Sequence, residues 1–74
     1  MGTKIATKFE VGDRVWAIWL SPALGKYINR GSEKITEQRK RKKLYCLNGD
    51  IWEKEDNIFR TEEEALAECD KRNA

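Results

Sequence analysis

The sequence predicts a mainly β domain: a small curled sheet or open barrel of about four to five short strands, closed by one C-terminal helix. Three observations carry that expectation. Arg14–Leu20 reads RVWAIWL, a β-branched and aromatic run with apolar residues on both faces. Asn48-Gly49 separates two further β-prone runs, KLYCL and DIWEK. Thr61–Asn73 reads TEEEALAECDKRN and carries helix start and stop signals.

The first strand is entered through Val11-Gly12-Asp13, where Gly and Asp supply a turn. Alternation places Val15, Ala17 and Trp19 on one face and Trp16, Ile18 and Leu20 on the other. A strand apolar on both faces is normally covered twice, and in a chain this small the second cover is expected to be a helix or the far wall of a barrel. Ser21–Gly25 (SPALG) breaks the strand, because Pro22 lacks an N–H and Gly25 relaxes the backbone. Lys26–Arg30 and Lys34–Arg39 read as a long, exposed β segment broken at Gly31-Ser32. Asn-Gly is the preferred two-residue type I′ turn, since both residues need positive φ. A two-residue loop sets Leu47 opposite Asp50, Cys46 opposite Ile51, Tyr45 opposite Trp52 and Leu44 opposite Glu53.

The helix is expected over 61–72. Thr61 is its N-cap and Glu64, three residues on, completes a capping box. Glu62, Glu63 and Glu64 lie at the positive end of the dipole, and Lys71 and Arg72 at the negative end. Ala65, Leu66 and Cys69 form a narrow apolar stripe that docks on the sheet beside Ile58 and Phe59.

Length and composition bound the rest. The 74 residues make one domain, placed at 9–74 behind a flexible N-terminus at 1–8. Charged residues are 38% of the chain, so three Trp, two Tyr and two Phe must supply much of the core. Histidine is absent, which removes the commonest general base and zinc ligand. Cys46 and Cys69 form no CxxC motif and sit in apolar patterns, so they read as buried free thiols. Neither a secretory segment nor an apolar run near the ~20 residues of a membrane span is present. The expected setting is cytoplasmic, with no membrane partner.

Two segments resemble known families. FEVGDRVWAIW (Phe9–Trp19) is similar to the first strand of SH3-like barrels, Tudor-type modules in particular. EKEDNIFRTEEEALAECDKRN (Glu53–Asn73) resembles the ending of small uncharacterised bacterial and phage proteins, which pair it with a VGDxV opening strand. The resemblance implies an SH3-like barrel plus helix, and implies no settled activity.

Three groups of residues are candidates for contact. The first is the basic run Arg39, Lys40, Arg41, Lys42 and Lys43. Lys26–Lys43 holds eight basic and two acidic residues, a local charge of +6, whereas Leu44–Ala74 holds nine acidic and four basic, a local charge of −5. The net +2 therefore hides a strong dipole. Cations tracking a phosphate backbone would explain the run, and so would lysines guarding an exposed sheet edge. If the run is extended, Arg39, Arg41 and Lys43 point one way and Lys40 and Lys42 the other, which splits it between two faces. The second group is aromatic: Trp16, Trp19, Tyr27, Tyr45 and Trp52, which form either the core or a cage for a cation, as in Tudor modules. The third is an acidic face at Glu53, Glu55 and Asp56, read as solvated.

No catalytic residues, metal site or cofactor are expected: there is no nucleophile elbow and no glycine-rich phosphate loop. The leading expectation is a non-catalytic binding module docking to a protein partner. A phage or mobile-element accessory or inhibitor protein, such as an anti-CRISPR, is a concrete version drawn from the resemblance. The alternative is a nucleic-acid-binding small β-barrel using Arg39–Lys43, and the third reading is a structural subunit that self-associates as a homo-oligomer.

Overall fold

The computed structural model describes residues 6–74, and whatever is expected of residues 1–5 lies outside them. Among the described residues, five strands form one antiparallel sheet: β1 (Arg14–Ser21), β2 (Lys26–Arg39), β3 (Leu44–Leu47), β4 (Ile51–Lys54) and β5 (Ile58–Phe59). Helix α1 (Glu62–Asn73) closes the chain. The strand order is β4-β3-β2-β1-β5, so the sheet is open, with β4 and β5 at its edges. A small β-sheet with a C-terminal helix is therefore the architecture.

The broken β segment is one strand. β2 is 14 residues long and changes partner midway, pairing with β1 up to Lys34 and with β3 from Ile35. Gly31, at φ 94°, permits the kink, because that region is strained for any residue with a Cβ. A register shift in the β1–β2 ladder between Trp16 and Ile18 adds to the curl.

The two-faced reading of β1 is correct up to Ile18. On the inner face Val15 and Ala17 join Phe9, Ile35, Tyr45, Leu47 and Ile58 in one buried cluster. On the other face Ile18 packs with Ala65 and Cys69 of α1, flanked by Trp16, Tyr27 and Phe59. The cover on each side is what a doubly apolar strand requires. Beyond Ile18 the strand outruns its cover: Trp19 and Leu20 are 43% and 54% exposed.

The hairpin register differs from the expected one. Leu47 pairs with Ile51, Cys46 with Trp52, Tyr45 with Glu53 and Leu44 with Lys54. The Asn48-Gly49 turn itself forms, with φ of 54° and 70° and the Asp50 N–H donating to the Leu47 carbonyl at 3.1 Å. Asp50 is the extra residue that shifts the pairing by one. A slip of one residue reverses which side chains share a face. Tyr45 and Trp52 consequently lie on opposite faces, Tyr45 in the core at 0% exposure and Trp52 outside at 39%.

The helix begins as its capping signal requires. The Thr61 hydroxyl oxygen accepts from the Glu64 backbone N–H at 3.1 Å. At the other end the Asn73 side chain accepts from Tyr27 N and donates to Tyr27 O, holding the helix C-terminus against β2. Cys46 and Cys69 are both buried, as free thiols.

Candidate functional site

The basic run is not a strand. β2 ends at Arg39, Lys40–Lys42 form a single 3₁₀ turn, and Lys43 is left-handed at φ 51°, ψ 47°. A non-glycine residue in that region carries a local cost on the order of 1 kcal/mol. The turn is held from both sides: Lys43 N donates to the Lys40 carbonyl at 3.2 Å, and Glu55 N donates to the Lys43 carbonyl at 3.0 Å. The alternation that would divide these cations between two faces therefore does not apply to Lys40–Lys43.

Arg39, Lys40, Arg41, Lys42 and Lys43 are all exposed. Among the described residues, no carboxylate lies within ion-pair distance of any of them, whereas Arg30, Arg60 and Arg72 pair with Glu33, Asp13 and Glu68. Arg39, Lys40, Arg41 and Lys42 line an open groove of about 410 Å³. A second recess, of about 200 Å³, continues past Lys42 and Lys43 to Lys54, Glu55 and Asp56.

The shifted register builds a platform beside the turn. Arg39, Leu44 and Lys54 form one cross-strand row, and Glu37, Cys46 and Trp52 form the next. Directly paired residues share a face, so Arg39, Lys54 and Trp52 stand together on the outer side. The Arg39 guanidinium lies over the Trp52 ring, 5.1 Å from its centroid. Cys46, between them in the row pattern, is only 3% exposed although it belongs to neither core cluster. The stacked pair shares that face with it. Glu37 shares it and is the one carboxylate in these two rows.

Under the turn lies a buried polar joint. The Tyr45 hydroxyl donates to Glu55 Oε2 at 2.5 Å, and the Lys8 backbone N–H donates to the same oxygen at 3.2 Å. Burial first, then the hydrogen bond and charge of Glu55, push the Tyr45 hydroxyl up to about 12. Burial works to raise the Glu55 carboxyl as well. The hydrogen bonds from Tyr45 and Lys8 and the charges of Lys43 and Lys8 outweigh it and hold that carboxyl below its ordinary value. Glu55 thus ties the N-terminal segment, the core tyrosine and the carbonyl of Lys43 together.

This corrects the acidic-face expectation. Glu55 is buried at 8% exposure, Glu53 is half-buried and accepts from Asn57 Nδ2 at 2.8 Å, and only Asp56 is exposed. The aromatic expectation is also corrected. Trp16 packs beside the helix, Tyr27 lies under the Arg72 guanidinium at 5.0 Å, and Tyr45 is in the core. Trp19 is on β1 and Trp52 on β4, with β2 and β3 between them in sheet order. The five rings share no common rim, so they do not build a cage. Lys54 escapes a reading of the sequence alone. The Asn48-Gly49-Asp50 triplet is the signal that could have found it, because a three-residue loop moves Lys54 opposite Leu44.

Compared with protein-family models, curated proteins and solved structures, the chain matches none. Among the described residues, no helix is long and apolar enough to cross a membrane.

Proposed function

We propose that this chain is a non-catalytic nucleic-acid-binding module that grips a phosphodiester backbone with the Arg39–Lys43 turn and Lys54. The observation that carries the reading is the gathering of Arg39–Lys43, exposed and with no carboxylate at ion-pair distance among the described residues, at one turn beside an exposed tryptophan. The sequence alone favours a protein partner, from the split charge surface and the phage-like ending, and strand alternation counts against the basic run as one contact face. The coiled turn removes that objection. Unpaired cations at a common turn can each displace a condensed counterion, which supplies affinity without sequence preference. The left-handed Lys43 keeps a cation where glycine would be less strained, as functional sites often do. The likeness of Phe9–Trp19 to SH3-like barrels belongs to this proposal, as does a cytoplasmic setting, which the two buried free thiols support.

The test is a fluorescence-anisotropy titration of single- and double-stranded DNA and RNA at about 50 mM salt. The wild type is compared with a variant carrying Arg39→Gln, Arg41→Gln and Lys43→Gln. Binding in the wild type that is weakened at least about tenfold in the variant supports the reading. Absence of binding by the wild type to all four would overturn it.

A second reading rests on a separate observation. Trp19, Leu20 and Leu24, at the tip of the β1–β2 ribbon, are 43%, 54% and 61% exposed. A protein partner seated there would make this an accessory or inhibitor protein, an anti-CRISPR among the candidates. Its binding would be insensitive to the basic variant and lost on Trp19→Ala.

A further inference from the structure

We infer that the ligand of the basic turn is single-stranded nucleic acid, with one unpaired base stacked on the Trp52–Arg39 platform. The inference rests on the backbone-binding reading above and adds to it what the phosphates touch last. Phosphate contacts alone are met equally by a duplex and a single strand. A large, flat, exposed ring among the cations is not explained by phosphates.

Trp52 is 39% exposed on a face whose other exposed side chains in these two rows are the charged Glu37, Arg39 and Lys54, with Arg39 at 5.1 Å from its ring. Every base has a π-face, and a guanidinium plane stacks on bases as an aromatic ring does. The open part of the indole and the outer plane of Arg39 therefore both accept a base. Lys54 lies two residues along β4 from Trp52, roughly 7 Å at the rise of a strand, in the row of Leu44 and Arg39, so a base on Trp52 directs its neighbouring phosphates toward the end of the sheet where Lys54 and the Arg39–Lys43 turn lie together. In a duplex those base faces are occupied by neighbouring pairs, so the platform would be left empty. Glu37, on the same face, disfavours a second phosphate track there and confines the backbone to the side of the turn.

The experiment compares four probes on the intact chain at fixed salt: oligo-dT and oligo-rU of about 15 nucleotides, an abasic strand with the same number of phosphates, and a duplex. The wild type is expected to bind either base-bearing strand roughly 5- to 150-fold more tightly than the abasic strand. Trp52→Ala is expected to remove that preference, so that base-bearing and abasic strands bind the variant equally. Indole fluorescence should quench on saturation with oligo-dT in the wild type, and the quench should be missing in Trp52→Phe, which keeps Trp16 and Trp19. The comparison of base-bearing with abasic strands in the wild type stands even if Trp52→Ala unfolds by circular dichroism. Equal, salt-dependent binding of all strands, or tighter binding of the duplex, would overturn the single-strand inference and leave the backbone reading intact. No binding of any probe would overturn both.

Discussion

Replacing Tyr45 with Phe removes one oxygen atom and little else. The ring keeps its place in the core and its edge-on contact with Phe9, at 5.6 Å between centroids. What is lost is the 2.5 Å hydrogen bond to Glu55, between groups 0% and 8% exposed. A hydrogen bond to a charged acceptor contributes about 1.5–3 kcal/mol, and a buried carboxylate left short of donors adds to the loss. Tyr45→Phe should therefore destabilise the fold by about 2–3 kcal/mol, or roughly 10–20 °C in Tm for a domain of this size. A second signature is alkaline. The Tyr45 pKa rises from 10.0 to about 12 on folding, so between these values the folded state holds a proton that the unfolded state has released. Stability from this group is complete below pH 10 and is lost as pH rises toward 12, by about 2–3 kcal/mol in all. Urea melts at neutral pH and at two alkaline values, on wild type and Tyr45→Phe, measure both effects. A loss below about 0.5 kcal/mol at neutral pH, or an alkaline decline identical in the two proteins, would refute the reasoning.

The other perturbations are simpler. Glu55 is held below its ordinary value, so its contribution is present above the unfolded value of 4.5 and is lost as pH falls through the folded one; Glu55→Gln should flatten the acid limb of stability against pH in urea melts. Lys43→Gly relieves a φ of 51° and should raise stability by up to about 1 kcal/mol in the same melts while weakening nucleic-acid binding. Thr61→Ala removes the cap on Glu64 N and should cost about 1 kcal/mol, read as a lower denaturation midpoint. Ile18→Ala opens a cavity under α1 and should cost about 2–5 kcal/mol, with loss of helical circular dichroism at lower urea than in the wild type. Burial raises the Cys69 thiol, so a thiol reagent should label it slowly until denaturant is added.

What the residues reveal in advance is local chemistry. The Thr61 cap, the Ser21–Gly25 break and the positive φ of Asn48-Gly49 need only neighbours in sequence, and each is where it is expected. The site needed one more fact, the register of β3 on β4. The Asn-Gly turn forms, yet Asp50 bulges, and that one residue sends Tyr45 inward and Trp52 outward. It also sets Lys54 in line with Leu44 and Arg39. Likewise, Arg39–Lys43 has the composition of an exposed strand. The ladder ends at Arg39, and the hydrogen bonds from Lys43 N to the Lys40 carbonyl and from Glu55 N to the Lys43 carbonyl hold it as a turn. Glu55 looks like a solvated acid until Tyr45 is known to lie beneath it, because its burial depends on a partner ten residues away.

The central claim is that the Arg39–Lys43 turn meets phosphates, and the slope of log Kobs against log salt counts them. Each phosphate contact on a single strand contributes about −0.7 to the slope. Engagement of the turn and Lys54, six cations in all, predicts a slope of about −4 for the wild type, a loss of roughly a few hundredfold between about 50 and 200 mM salt. In the variant with Arg39, Arg41 and Lys43 replaced by Gln the slope should be shallower by about 2. A wild-type slope near zero, or one unchanged by removing those three cations, would contradict the account.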